Sequence, residues 1–151
     1  MAISMAMAIH PGDEVFLDTS YALALSAPTD QYHDRALRLA DELEAARARL
    51  VTTRAVLLEI GNALSRQRYR AAAVRLLQAL EWDPTVEIVP LSEDLYAQAF
   101  ELYSSRLDKE WGLIDCSSFV VMAERGITKA LTADEHFQQF GFLALLRDQD
   151  R

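Results

Sequence analysis

Short apolar runs alternate with longer amphipathic stretches along this chain. Glu14-Val15-Phe16-Leu17-Asp18 reads as a buried strand that stops at an acid, and Thr19-Ser20 then opens a small apolar helix from Tyr21 to Ser26. Ala27-Pro28-Thr29-Asp30 is a break that offers Thr29 as the N-cap of a helix over residues 30–49, where Ala36, Leu39, Ala40 and Leu43 recur at helical spacing. Leu50-Val51-Thr52 is a second strand. Thr53 caps a helix over residues 54–67, and another runs from 70 to 81 and stops at Trp82-Asp83-Pro84. Val86 to Val89 is a third strand. Ser92, followed by Glu93 and Asp94, starts a helix that ends near Leu107. Residues 108–112 form a loop, Leu113 to Arg125 a helix closed by Gly126, and Lys129 to Thr132 a fourth strand. A short helix over 134–139 and a fifth strand from Phe142 to Leu145 complete the series.

Strands that alternate with helices predict a three-layer α/β/α domain with a short parallel sheet of four to five strands. Residues 14–151 form that single domain, and residues 1–13 read as a flexible tail rather than a signal peptide, since no Lys or Arg precedes Arg35 and the apolar run is short. At 151 residues there is room for one core and not for two. No stretch is apolar and long enough for a membrane helix.

In a parallel sheet, function gathers at the carboxyl ends of the strands, and there the acids become informative. Asp18 ends the first strand, Asp134 follows the fourth, and Asp115 sits in the first turn of the helix before the fourth. Glu59 lies inside Leu57-Leu58-Glu59-Ile60-Gly61-Asn62-Ala63-Leu64, among small and apolar neighbours. Taken singly, each has an ordinary explanation: Asp18, Asp115 and Asp134 as helix caps, Glu59 as a surface group or the partner of Arg54. Taken together they suggest convergence on one cleft, and carboxylates crowded there ask for a hard divalent ion, Mg²⁺ or Mn²⁺.

Charge first argues against a nucleic-acid partner. Lys and Arg total 15 against 23 Asp and Glu, a net of -8. The balance is uneven, however. From Arg47 to Arg75 there are seven arginines and one acid, Glu59, a net of +6. Arg66, Arg68 and Arg70 flank the end of the Glu59 helix and could hold phosphates there, or simply form a solvated face. The single cysteine, Cys116, excludes an internal disulfide and fits a reducing cytoplasm; among apolar neighbours it reads as a buried structural thiol.

Four segments in order, VFLDTSYALAL, LLEIGNAL, LIDCSSFVVMAERGI and ALTADEHF, resemble the motifs of PIN-domain ribonucleases, and most of all the VapC-type toxins of toxin–antitoxin pairs. The resemblance spans about residues 14 to 146. It implies that Asp18, Glu59, Asp115 and Asp134 are the catalytic, metal-binding acids; Asp18 and Asp115 are the best candidates for direct ligands, with Glu59 and Asp134 acting partly through water. Thr19, Ser20 and Thr132 match the small polar residues that support them, and Asn62 matches a polar position one helical turn from Glu59 that could orient it. Ile114 departs from the pattern, standing where a hydroxyl residue often precedes the third acid. The implied activity is Mg²⁺- or Mn²⁺-dependent hydrolysis of RNA phosphodiester bonds, leaving 5′-phosphate and 3′-hydroxyl ends. The implied partners are RNA, a small antitoxin and a second copy of the chain. The apolar helices at Tyr21 to Leu25 and Leu57 to Leu64 are candidate docking surfaces for them, or else ordinary core. The alternative is a PIN-like module that binds RNA or protein without turnover.

Other chemistries fit less well. A metal-free ribonuclease would need paired histidines, but His10 is in the tail, His33 on a helix surface, and His136, two residues past Asp134, could approach the cleft but reads rather as a solvated side chain. A haloacid-dehalogenase phosphatase would want a second acid where Ser20 stands. A response-regulator receiver would want paired acids around a phosphoacceptor on a central strand. No G-x-x-x-x-G-K-[ST] or G-x-G-x-x-G loop is present. Trp111 could stack on a base or pack against the fold; Trp82 reads as core or helix-end packing.

Overall fold

A computed structural model describes residues 8–147 of the chain. The elements run β1 Glu14–Leu17, α1 Thr19–Ser26, α2 His33–Ala46, β2 Arg49–Thr53, α3 Arg54–Ala63, α4 Gln67–Trp82, β3 Val86–Val89, α5 Glu93–Ser105, α6 Leu113–Arg125, β4 Lys129–Leu131, α7 Glu135–Phe140 and β5 Leu143–Ala144. The five strands form one sheet in the order β3-β2-β1-β4-β5, and every pairing is parallel. From β1 the chain winds outward to β2 and β3, then crosses back to β4 and β5. Right-handed crossovers therefore place helices on both faces. The winding reverses between β1 and β4, and the crevice at their carboxyl ends is where this topology opens a site.

The central strand has no polar face to spare. Val15, Phe16 and Leu17 are buried, as are Val51 on β2 and Ala130 and Leu131 on β4. Phe119 of α6 and Phe137 of α7 close one side as an edge-to-face pair with centroids 4.9 Å apart. Leu39 of α2 and Val56 and Ile60 of α3 are buried in the same core.

Helix ends follow local chemistry. Thr53 and Ser92 cap α3 and α5 as expected, accepting from the Val56 and Leu95 N–H groups. Gly126 adopts φ 68° after α6, the left-handed turn that ends a helix at low steric cost. Thr29 does not cap α2. The Asp30 carboxylate instead accepts from the Tyr32 N–H at 2.8 Å, which extends the turn, and α2 begins at His33 rather than residue 30. It ends at Ala46, where Arg47 turns left-handed, rather than at residue 49. Likewise α3 stops at Ala63, and an extended Arg66 lets α4 start at Gln67. Trp82 is 75% exposed and packs into no core.

Of the tail expected over residues 1–13, residues 1–7 lie outside the described residues, and residues 8–13 are fixed to the fold. Ile9 is fully buried, Gly12 N–H donates to the Ala46 carbonyl, and Lys129 pairs with Asp13 at 2.6 Å. Among the described residues no helix is long and apolar enough to cross a membrane.

Candidate functional site

The β1/β4 switch point holds the acids that the sequence singles out. Asp18 follows β1 directly and is only 5% exposed. Its Oδ2 accepts from Thr132 Oγ1 at 2.7 Å and from Ser20 Oγ at 3.4 Å. These two hydroxyls are themselves anchored by backbone: Ala133 N–H donates to Ser20 Oγ at 2.9 Å and Asp134 N–H to Thr132 Oγ1 at 3.0 Å. Each hydroxyl thus accepts a hydrogen bond from the loop after β4 and reaches Asp18 at the end of β1, and the two hydroxyls lie 3.2 Å apart, which ties the two strand ends together. Burial pushes the Asp18 carboxyl up from 3.8 to about 7. The Thr132 hydroxyl and the Thr19 N–H oppose that rise, and the charges of Asp115 and Glu59 add to it.

Glu59 is partly buried on α3. Thr19 Oγ1 donates to its Oε1 in a short hydrogen bond. Asn62, the expected orienting group, is exposed, and the hydroxyl that reaches Glu59 comes from α1, not from the next turn of α3. Arg54 does not pair with Glu59 either, since its guanidinium bonds Glu81 of α4.

The remaining acids form a second group. Asp115 stands in the first turn of α6, and its Oδ2 accepts from the Gly112 N–H at 3.1 Å. Asp134 caps α7, its Oδ1 accepting from the His136 N–H at 2.8 Å. So the ordinary capping roles are real, and they fix the carboxylates in place. His136 joins them. Its Nδ1 lies 3.1 Å from Asp115 Oδ2 and 3.4 Å from Asp134 Oδ1, so the solvated histidine read from sequence is in fact part of the cluster. One donor atom from each of Asp115, Asp134 and His136 falls within 4.8 Å of the others. Burial raises the Asp115 carboxyl against the pull of His136 and Gly112. Burial alone would lower the imidazole, but the Asp115 hydrogen bond and the nearby charges of Asp134, Asp115 and Glu135 hold it above 6.5. The available signal for His136 was its place two residues past an acid at a helix start.

The other candidates sort plainly. Arg66, Arg68 and Arg70 are exposed around the α3–α4 turn, Arg66 and Arg68 lining an open hollow and Arg70 donating to the Ser65 carbonyl. No hydrogen bond among the described residues links them to the four acids. Trp111 is 4% exposed, packs edge-on against Phe119 at 5.2 Å and donates to Gln139, so its faces are taken by the fold. Cys116 is buried, and burial beside Asp115 pushes its thiol up to about 11, which fits an inert structural residue.

Known proteins resemble this chain in sequence and in fold. Residues 15–143 match the PIN domain family. Proteins named 23S rRNA-specific endonuclease VapC20, from two strains of Mycobacterium tuberculosis, are 32% identical over 129 residues, 85% of this chain and 95% of theirs. The crystal structure of Mycobacterium tuberculosis VapC20, described as a Sarcin-Ricin loop cleaving toxin, matches with TM-score 0.76 and 30% identity over 86% of this chain and 97% of that one. FitAcB from Neisseria gonorrhoeae, at 20% identity and TM-score 0.59 over 85% of this chain and 94% of its own, shares the fold.

Proposed function

This chain belongs to the PIN-domain family, and on that premise we propose that it is a divalent-metal-dependent endoribonuclease, the toxin of a VapC-type toxin–antitoxin pair. The observation that carries the reading is Asp18, a carboxylate only 5% exposed at the switch point of a parallel sheet, with the charges of Asp115 and Glu59 acting on it and Asp134 beside Asp115. Among the described residues, the partners of these acids are hydroxyls, backbone N–H groups and one imidazole rather than lysine or arginine. A buried carboxylate so placed is costly until a cation arrives. The oxygen-rich donor set fits a hard divalent ion, and Mg²⁺ or Mn²⁺ is the proposed cofactor.

Asp18 and Asp115 are the proposed direct ligands, with Glu59 and Asp134 completing the charge. A divalent cation bound there supplies the positive charge that favours ionisation of water and offsets the negative charge building on the phosphodiester. The protein's own part is positioning. Thr132 and Ser20 aim Asp18, Thr19 aims Glu59, and the first turns of α6 and α7 hold Asp115 and Asp134. Arg66, Arg68 and Arg70 are the proposed phosphate contacts. Similarity to an endonuclease over nearly the whole chain supports turnover rather than a silent binding module.

Partners follow from the same reading. An apolar hollow of about 600 Å³ lined by Tyr21, Leu25, Leu43, Leu76 and Leu80 supports the α1 surface as the antitoxin's seat. Both helices also feed the core, through Tyr21, Ala22 and Ala24 on α1 and Leu57 and Ile60 on α3, and α3 leaves Leu58 exposed. A homodimer acting on RNA in the cytoplasm completes the proposal.

The test is incubation of the protein with RNA and Mg²⁺ or Mn²⁺, with EDTA and Asp18→Asn as controls. Ribosomal RNA of the large subunit comes first, because VapC20 is named for 23S rRNA, followed by transfer and messenger RNA. Cleavage abolished by both controls is expected. Cleavage indifferent to both would remove the metal-dependent assignment.

A further inference from the structure

We infer that His136 is itself a ligand of the divalent cation, an imidazole nitrogen set between Asp115 and Asp134. This rests on the metal-dependent reading above and adds a donor of a different kind to the four acids. The separations are those of neighbouring ligands around one ion. Two donors each ~2.1 Å from a cation lie ~3.0 Å apart at a right angle and ~3.4 Å apart at the tetrahedral angle. The His136 Nδ1 distances to Asp115 Oδ2 and Asp134 Oδ1 are 3.1 Å and 3.4 Å.

The backbone that carries the ring is held from both sides. The His136 N–H is bound by the Asp134 cap, which fixes the backbone at the start of α7. The next residue, Phe137, is fully buried against Phe16 and Phe119. Without the cation, the contact of Nδ1 with Asp115 keeps the ring turned into the cluster; with it, the same nitrogen, carrying no proton, is the ligand. Charge gives a further reason for a histidine. Asp18, Glu59, Asp115 and Asp134 already bring four negative charges, and a neutral imidazole adds a ligand atom without adding a fifth. Nitrogen is also the softer donor, so His136 biases the site away from Mg²⁺ and toward Mn²⁺ and later transition ions.

The experiment uses the full chain loaded with Mn²⁺ and read by pulsed electron paramagnetic resonance for ¹⁴N coupling, with Mn²⁺ and Mg²⁺ affinities measured by titration. Expected is the coupling of a directly bound imidazole, absent in His136→Gln. That variant should still bind Mn²⁺, with affinity reduced by about tenfold or more and Mg²⁺ affinity reduced less. Mn²⁺ bound without nitrogen coupling in the unmodified protein overturns the inference and leaves His136 as a group that only orients Asp115. Coupling that survives in His136→Gln overturns it in favour of another histidine. No Mn²⁺ binding at all overturns the metal reading as well.

Discussion

The site has two halves held by opposite means. The inner half, Asp18 and Glu59, is bound through side-chain hydroxyls from Thr132, Ser20 and Thr19. The outer half, Asp115 and Asp134, is bound through backbone N–H groups at helix starts and through His136. In the outer half each acid does two jobs, since a capping carboxylate stabilises its helix whether or not a metal is present. The inner half stabilises little without metal. Asp18 is buried deeply enough for its carboxyl to rise to about 7, so in the metal-free fold it is a liability. The outer acids help to build the fold, whereas Asp18 is held at the fold's expense.

The largest expected effect tests whether both halves are needed. Asp18→Asn and Asp115→Asn should each lower RNA cleavage by at least about 100-fold, because each removes a charge that the chemistry uses. Measured as initial rates at saturating Mn²⁺, a variant in either half with near-normal turnover would show that the halves are separable.

Stability should then divide them. The folded Asp18 pKa of about 7 lies above its ordinary 3.8, so full stability is present below about pH 4 and is lost as pH rises through about 7. The shift of about three units bounds the loss at ~4 kcal/mol. Asp18→Asn lacks this penalty. In EDTA at pH 8 it should melt several degrees above the unmodified protein, given ~2–4 °C per kcal/mol, with the gap closing toward pH 4 and shrinking when Mn²⁺ is added. Asp115 and His136 are also raised and act in the same direction, which is why the variant, not the bare pH profile, isolates Asp18. Thermal melts at several pH values that show no gap would put the cost elsewhere.

The opposite sign is expected across the divide. Asp134→Ala removes the cap that accepts the His136 N–H and should lower stability by about 1 kcal/mol. Asp134→Ser keeps a capping oxygen and should restore the melting temperature without restoring cleavage. If Asp134→Ala instead stabilises the metal-free protein as Asp18→Asn does, the outer half carries the same strain as the inner one, and the contrast fails.

The same division explains what could be read from the residues. Strands and most caps were legible because they are local: Thr53 and Ser92 cap where a hydroxyl precedes a helical stretch, and Gly126 ends α6 where a glycine must. The outer acids were legible as caps for that reason. The family motifs then marked all four acids and the supporting hydroxyls of Thr19, Ser20 and Thr132, but not which hydroxyl meets which acid. Thr19 meets Glu59 across 40 positions of sequence and Thr132 meets Asp18 across 114. No periodicity encodes such a meeting; it depends on two strand ends arriving side by side. Thr29 misled for a related reason, since Asp30 one residue later made a tighter turn with Tyr32 and moved the helix start. His136 was discounted because an isolated histidine near a helix start is usually solvated, and only the approach of α6 brings Asp115 within reach.

The smallest expected effect is the sharpest on this point, because it sets the nearby residue against the distant one. Asn62 lies one turn from Glu59 on the same helix and is exposed, whereas Thr19 arrives from another element and donates to the carboxylate. If position in space decides, Thr19→Val should lower cleavage by about tenfold, the scale of losing a hydrogen bond that orients a functional carboxylate. Asn62→Ala should stay within about twofold, as exposed substitutions away from such bonds usually do. Thr19→Ser, which keeps the hydroxyl and loses only a methyl, should recover most of the rate and so separates the hydrogen bond from packing in α1. Rates measured side by side at fixed Mn²⁺ give the answer. A larger loss for Asn62→Ala than for Thr19→Val would mean that α3 orients its own glutamate and that the inner half of the site is not tied across strands.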